Sequence, residues 1–217
     1  MNAETFLELA TDSEAWLRKS AELRASADVL WNACFALVGQ WAIKQRDGAS
    51  DADELWNLAI AHLSASKMLY GLALETAFKA AIIRDSPSTV ALKMTADGSG
   101  KVQQVEVKQL GVSMGSGHDL VRLAEKAGVF RRGNGEVFPA DSDYQAIRAI
   151  LEELGDMVVW MGRYPVPMRS GEERKISPDV PAVAFGHYMR DWTDMVLSHF
   201  HIPPSGSKRT EFPKPPV

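Results

Sequence analysis

Apolar residues in the first part of the chain recur at the spacing of one helix face. Trp16, Leu23, Leu30, Trp31, Cys34, Phe35, Val38 and Trp41 predict a helix over about 12–46. Thr11 and Glu14 have the spacing of a capping box at its start, and Asp47-Gly48 ends it, with Gly48 suited to a left-handed helix terminus. A second helix is predicted over 51–84, capped by Ser50 or Asp51. It carries one apolar stripe of Leu55, Leu58, Leu69, Leu72, Ala73, Ala80 and Ile83, with Leu63, Tyr70, Leu74 and Phe78 beside it. A helix apolar over so much of its circumference belongs at the centre of a fold. At 1.5 Å per residue it would run about 51 Å, longer than the roughly 45 Å diameter of a compact sphere of this chain length. The bundle is therefore elongated, or its helices break near Ser26–Asp28 and at Gly71.

After Ser86-Pro87 the period changes from the helical one to two. Val90, Leu92 and Met94 alternate with Ala91, Lys93 and Thr95, and Val105 and Val107 alternate with Gln104, Glu106 and Lys108 beyond the turn Asp97-Gly98-Ser99-Gly100. This predicts a β-hairpin near 89–109, inserted over 88–110, with either a bulge near Val102 or a turn that begins later, and an apolar face that docks on the helices because two strands do not stand alone in water. A short helix follows over about 118–127, then a polar loop through Arg131 and Arg132. An amphipathic helix carries Ile147, Ile150, Leu151, Leu154, Val158 and Met161 and stops at Gly162 and Pro165, and a last helix spans about 181–200. Residues 203–217 read as a Pro-rich flexible tail. The expected architecture is all-α, an elongated bundle of five to six helices in one domain over 1–202 with one hairpin inserted.

Composition narrows the partners. The 217 residues carry 24 Lys and Arg against 28 Asp and Glu, a net charge of −4, which excludes nonspecific coating of nucleic acid or of an anionic membrane. One cysteine permits no internal disulfide and no multi-cysteine zinc site, and no leader opens the chain, so a soluble, cytoplasmic protein is expected. The most apolar stretch, Val29 to Ile43, is too short to span a bilayer.

Several constellations offer chemistry. Gly111-Val112-Ser113-Met114-Gly115 has the letters of a nucleophile elbow, but the parallel sheet that an elbow needs is missing, and a flexible connector explains it better. Ser116 and Asp119 have capping spacing, and they place His118, a side chain that titrates near neutral pH, at a helix start that favours anions. Glu75 and Lys79 stand i, i+4 with Glu first, either as an exposed ion pair or, with Ser64, Lys67 and Gly71, as a strip lining a groove. Arg163 caps a helix end, and Tyr164 beside it precedes Pro165 and Pro167, an arrangement able to present a donor fork and a phenol to an anion. His187, Asp191 and Asp194 have the spacing of metal ligands but lack a further His or Cys in phase, so no metal and no cofactor is expected. His199 falls on an apolar stripe as a core histidine. Trp16, Trp31, Trp41, Trp56, Trp160 and Trp192 are spread over the helices as packing anchors.

Three segments together resemble the HEPN superfamily, the helical nucleotide-binding domains of higher eukaryotes and prokaryotes. They are Tyr70-Gly71-Leu72-Ala73-Leu74-Glu75-Thr76-Ala77-Phe78-Lys79-Ala80-Ala81, Gly117-His118-Asp119-Leu120 with Leu123, and Trp160-Met161-Gly162-Arg163-Tyr164-Pro165, covering about 55–165. The resemblance implies a bundle of four or five helices, frequent homodimers, and work in toxin–antitoxin, phage-defence or RNA-processing systems. It also implies either metal-independent ribonuclease activity at an Arg and a His four to six residues apart, or binding of nucleotide or RNA. That motif is missing here. Arg190 and His199, the nearest pair, fall on opposite faces of one helix at about 100° per residue. The expectation is a nucleotide- or RNA-binding or interaction module with Glu75, Lys79, His118, Asp119, Arg163 and Tyr164 at its ligand site, possible partners being RNA, nucleotide or another protein. The alternatives are a divergent metal-independent ribonuclease built from His118 and Arg163, and a structural helical protein without ligand. Avid RNA binding would require Lys79, Arg84, Arg131, Arg132 and Arg163 to converge.

Overall fold

The computed structural model describes residues 2–110, 112, 117–131, 138, 140–161 and 186–201. Among them the order is α1 (Ala3–Thr11), α2 (Ser13–Arg46), α3 (Ala52–Asp85), β1 (Val90–Ala96), β2 (Val102–Leu110), α4 (Leu120–Ala127), α5 (Asp141–Asp156) and α6 (Gly186–His201), with a π-turn, Met157–Met161, running on from α5. This is an all-α bundle with one inserted antiparallel hairpin.

α1 is too short to show a period, and the predicted capping box before α2 is not formed. Asp12 caps α2 instead, its carboxylate accepting from the Glu14 amide at 2.9 Å. The Thr11 hydroxyl turns back to donate to the Leu7 carbonyl at 2.9 Å and belongs to the end of α1. Asp51 precedes α3 without a side-chain capping bond; its carboxylate is taken by Lys44.

α2 and α3 each run 34 residues without a break, so the elongated alternative holds and neither Ser26–Asp28 nor Gly71 interrupts a helix. Their mutual packing explains this. Ala27, Trp31 and Cys34 of α2 face Ala59, Leu63, Ser66, Tyr70 and Ala73 of α3, all buried, at the alternating three- and four-residue spacing of a coiled-coil seam. Small residues at Ser20, Ala27, Cys34, Ala59, Ser66 and Ala73 bring the backbones close enough for the Ser20 hydroxyl to donate to the Ala73 carbonyl at 2.7 Å. Leu58, assigned to the core stripe, is instead 47% exposed, because the other helices cover only the C-terminal half of α3.

That half is enclosed by α4, α5 and α6. Gly71 marks the tightest crossing: a Cβ there would lie 2.5 Å from Val158 Cγ2 and 3.0 Å from the Leu154 carbonyl. The glycine therefore serves close approach to the α5 end, not a kink. α6 is tied to α2 by Arg24 to Asp194 at 2.8 Å and Arg190 to Asp28 at 3.4 Å, and the same Asp28 ties α2 to α3, accepting from the Tyr70 hydroxyl at 2.5 Å. Burial, reinforced by Asp28, raises the Tyr70 phenol above its ordinary range, and burial likewise raises the Asp194 carboxyl. His199 is exposed and stacks edge-on against Phe200, so it is not the core histidine expected. The tryptophans act as anchors where their side chains are described: Trp31 and Trp192 are buried, and Trp41 and Trp56 meet at 4.7 Å.

Of the two alternatives at Val102 the hairpin takes the bulge, a register shift between Thr95 and Ala96 that leaves Gln103 unmatched before Val102. Asp97 ties its turn, accepting from the amides of Ser99 and Lys101, the Ser99 hydroxyl and the Gln103 amide group. These bonds lower the Asp97 carboxyl to about 2. The predicted docking of the apolar face is largely absent. Leu92 pairs with Val107 and Met94 with Val105, yet Met94 is 54% exposed and only the base of the hairpin is half-buried, beside α1. The buried seam residues of the long helices pack on one another, and a nine-residue helix is too small to cover two strands.

Candidate functional site

Glu75 and Lys79 occupy successive turns of the enclosed half of α3. They are not the exposed pair considered from sequence. Glu75 is 5% exposed, the Lys79 side chain 11%, and Lys79 Nζ donates to Glu75 Oε1 at 2.5 Å. A buried carboxylate requires both oxygens to be engaged. The second partner comes from elsewhere in the chain. Asp119 caps α4, its carboxylate accepting from the Arg122 amide at 3.1 Å and pairing with the Arg122 guanidinium at 3.3 Å. This cap fixes the turn before α4 so that His118 Nδ1 lies 2.9 Å from Glu75 Oε2. The His118 side chain is 55% exposed, so the imidazole spans from a buried carboxylate to solvent.

His118 and Asp119 also line a cleft of about 350 Å³ between the start of α4 and the end of α5. Its apolar surface comes from Leu120, Val121, Leu151 and Val159, room is left by Gly117 and Gly155, and its acidic members are Asp119, Glu152 and Asp156. With Nδ1–H donated to Glu75, the ring turns Nε2 outward as an acceptor; when doubly protonated it offers a donor there instead.

The structure thus brings together Glu75, Lys79 and His118, places Asp119 beside them in a capping role, and leaves Arg163 and Tyr164 outside the described residues. The Ser64, Lys67, Gly71 strip does not line a groove. Gly71 is packed against Val158, and Lys67, its side chain 12% exposed, pairs with Glu153 of α5 at 2.6 Å. Of the cations required to converge for RNA, Lys79 is engaged by Glu75 and Arg84 by Asp85 at 3.1 Å, while Arg132 and Arg163 lie outside the described residues. Ser113, Gly111 and Gly115 of the elbow-like segment lie outside them too, as does the side chain of His187. Asp194 is committed to Arg24, and among the described residues no three His, Cys, Asp or Glu gather to hold a metal. Nor is any helix among them long and apolar enough to cross a membrane.

Sequence reasoning missed the acidic and apolar members that α5 supplies to the cleft, Glu152, Gly155, Asp156 and Val159. The outward residues of an amphipathic helix carry no local sign of which neighbour they overlook. Against family models, curated proteins and solved structures, the chain has no match.

Proposed function

We propose that the protein is a HEPN-like helical module that binds a nucleotide, free or as a unit of RNA, at the cleft beside His118, with Glu75 and Lys79 positioning the imidazole. The observation that carries this reading is the buried Glu75 carboxylate shared between Lys79 and His118 at the cleft edge. An ion pair at this depth adds little net stability compared with apolar side chains of the same volume. Its chemical consequence is a half-exposed histidine with one fixed tautomer and an outward Nε2.

The cleft favours a base over a string of phosphates. Val121 and Val159 suit one face of a heteroaromatic ring, and Glu152 suits an exocyclic amino group, whereas carboxylates repel a polyanion. His118 would meet a phosphate or hydroxyl of the same nucleotide. The function is expected in a cytoplasmic defence or stress system, where an interaction with a partner protein belongs to the same reading.

Binding is favoured over the ribonuclease alternative because the described cations beside His118 are already paired. Lys79 and Arg122 are committed to Glu75 and Asp119, leaving neither to stabilise a phosphorane. The test is fluorescence anisotropy with short single-stranded RNA and with labelled mononucleotides, for the intact protein and His118→Ala. Binding lost in a variant that melts like the parent supports the reading, and equal binding by both sinks it. Cleavage of the RNA in the presence of a chelator, abolished by His118→Ala, would move the assignment to the nuclease.

A further inference from the structure

The wall that α5 gives the cleft is more specific than an acidic surface. Glu152, Gly155, Asp156 and Val159 follow at the intervals of one helix face, and α5 passes straight into the π-turn that carries Val159. Gly155 sits in the middle of this face. A glycine within a helix is destabilising relative to alanine, and here packing does not ask for one: a Cβ would meet only Leu120 Cγ, at an ordinary contact distance of 4.0 Å. At Gly71 the missing side chain lets two segments cross. At Gly155 it leaves the floor of the cleft open between Glu152 and Val159, and a flat ring fits there with Val121 and His118 on the other wall.

Of the carboxylates that border this floor, Asp119 accepts from the Arg122 amide and pairs with its guanidinium, and Asp156 is engaged as well. Glu153, the next residue of α5, is turned to Lys67. Glu152 is exposed and makes no hydrogen bond or ion pair among the described residues. An ionised carboxylate is an acceptor with two oxygens side by side, so its full complement is a pair of adjacent donors. Among the common RNA bases only guanine carries such a pair on its Watson–Crick edge, N1–H beside the 2-amino group. Adenine sets its 6-amino group beside a bare N1, cytosine its 4-amino group beside a bare N3, and uracil its N3–H between two carbonyl oxygens. Each of these turns a lone pair toward the carboxylate. We infer that the cleft selects guanine, with Glu152 accepting from N1–H and the 2-amino group while the ring lies over Gly155. The inference rests on the nucleotide reading above and adds to it the identity of the base and the residue that chooses it.

Isothermal titration calorimetry of the full chain with GMP, IMP, AMP, CMP and UMP tests it. GMP is expected to bind about tenfold more tightly than any of the others, including IMP, which lacks only the 2-amino group. Glu152→Gln puts one donor and one acceptor where there were two acceptors. It should lower GMP affinity about tenfold and raise that of AMP, whose edge it now matches, a gain that misfolding cannot mimic. Gly155→Leu fills the floor and should remove binding of all these nucleotides, with a melting temperature equal to the parent's or higher. Equal affinities for the whole set, or a preference for GMP that Glu152→Gln leaves untouched, would overturn the inference while the nucleotide reading stands. Undiminished GMP binding by Gly155→Leu, or no binding of any nucleotide by the parent, would overturn both.

Discussion

Glu75 and His118, 43 residues apart in the chain, meet at 2.9 Å, and the carboxylate they share with Lys79 is almost wholly buried. The direction of every substitution at this site follows from that burial. Glu75→Ala leaves Lys79 as a buried cation without its partner and should destabilise the fold by about 3–5 kcal/mol, read as a shift in the urea midpoint. Glu75→Leu combined with Lys79→Met removes both charges at similar volume and should return stability to within about 1 kcal/mol of the parent. His118→Ala, at a half-exposed position, should cost about 1 kcal/mol. If the double variant is as unstable as Glu75→Ala, the pair is there for the fold and its link to the cleft loses its basis.

Gly71 should tolerate no side chain. Alanine is the better helix former by about 1 kcal/mol, but its Cβ would stand 2.5 Å from a Val158 methyl and 3.0 Å from a backbone oxygen that has little room to move. Gly71→Ala should therefore destabilise by about 1–3 kcal/mol, and Val158→Ala added to it should recover part of the loss. A thermal melt higher than the parent's would refute the close crossing.

Tyr70 predicts an alkaline limit. An unfolded tyrosine loses its proton near pH 10, whereas the buried phenol donating to Asp28 keeps its proton to higher pH. The folded state then holds a proton that the unfolded state has released. This stability is fully present below about pH 10 and falls as pH rises beyond it. Tyr70→Phe should be less stable at neutral pH, where it leaves Asp28 without that donor, and its denaturation midpoint should decline less between pH 9 and 11 (about one unit on either side of the free phenol). Identical slopes for both proteins would count against the assignment.

Asp97 predicts the opposite limb at the hairpin turn. Its carboxyl lies at about 2 in the folded turn against about 3.9 for a free aspartate, so the turn is stabilised above the free value and loosens as pH falls toward 2. A carbon-detected NMR titration should place the Asp97 midpoint near 2, with the Ser99 and Lys101 amide shifts following it. Ser99→Ala removes the hydroxyl donor and should raise that midpoint; an ordinary aspartate midpoint in the parent would contradict the turn geometry.

Much of the site was legible, but in pieces. The i, i+4 order of Glu75 and Lys79 identifies a pair, and Ser116 and Asp119 read as a capping pair, of which Asp119 supplies the cap of α4, because both signals lie within a turn or two of helix. Whether the pair faces water or core is not written locally: α3 is apolar almost all round, so periodicity selects no single face. The fixed interval of small residues, Ala52, Ala59, Ser66 and Ala73, was the available sign that one face of α3 meets another helix at close range. Glu152 and Asp156 carried no comparable sign, since an outward carboxylate on α5 looks the same whether it overlooks solvent or a cleft.

By itself the sequence determined the kinds of element and their order: two long helical segments, an inserted hairpin, and the all-α class. These rest on periods, caps and turns that act within a few residues. Only the tertiary structure decided that Gly71 is a crossing and not a kink, that the hairpin face stays largely open, and that His118 closes onto Glu75. Each of these depends on which surfaces compete for the same apolar face, and that competition is settled by packing between segments far apart in the chain.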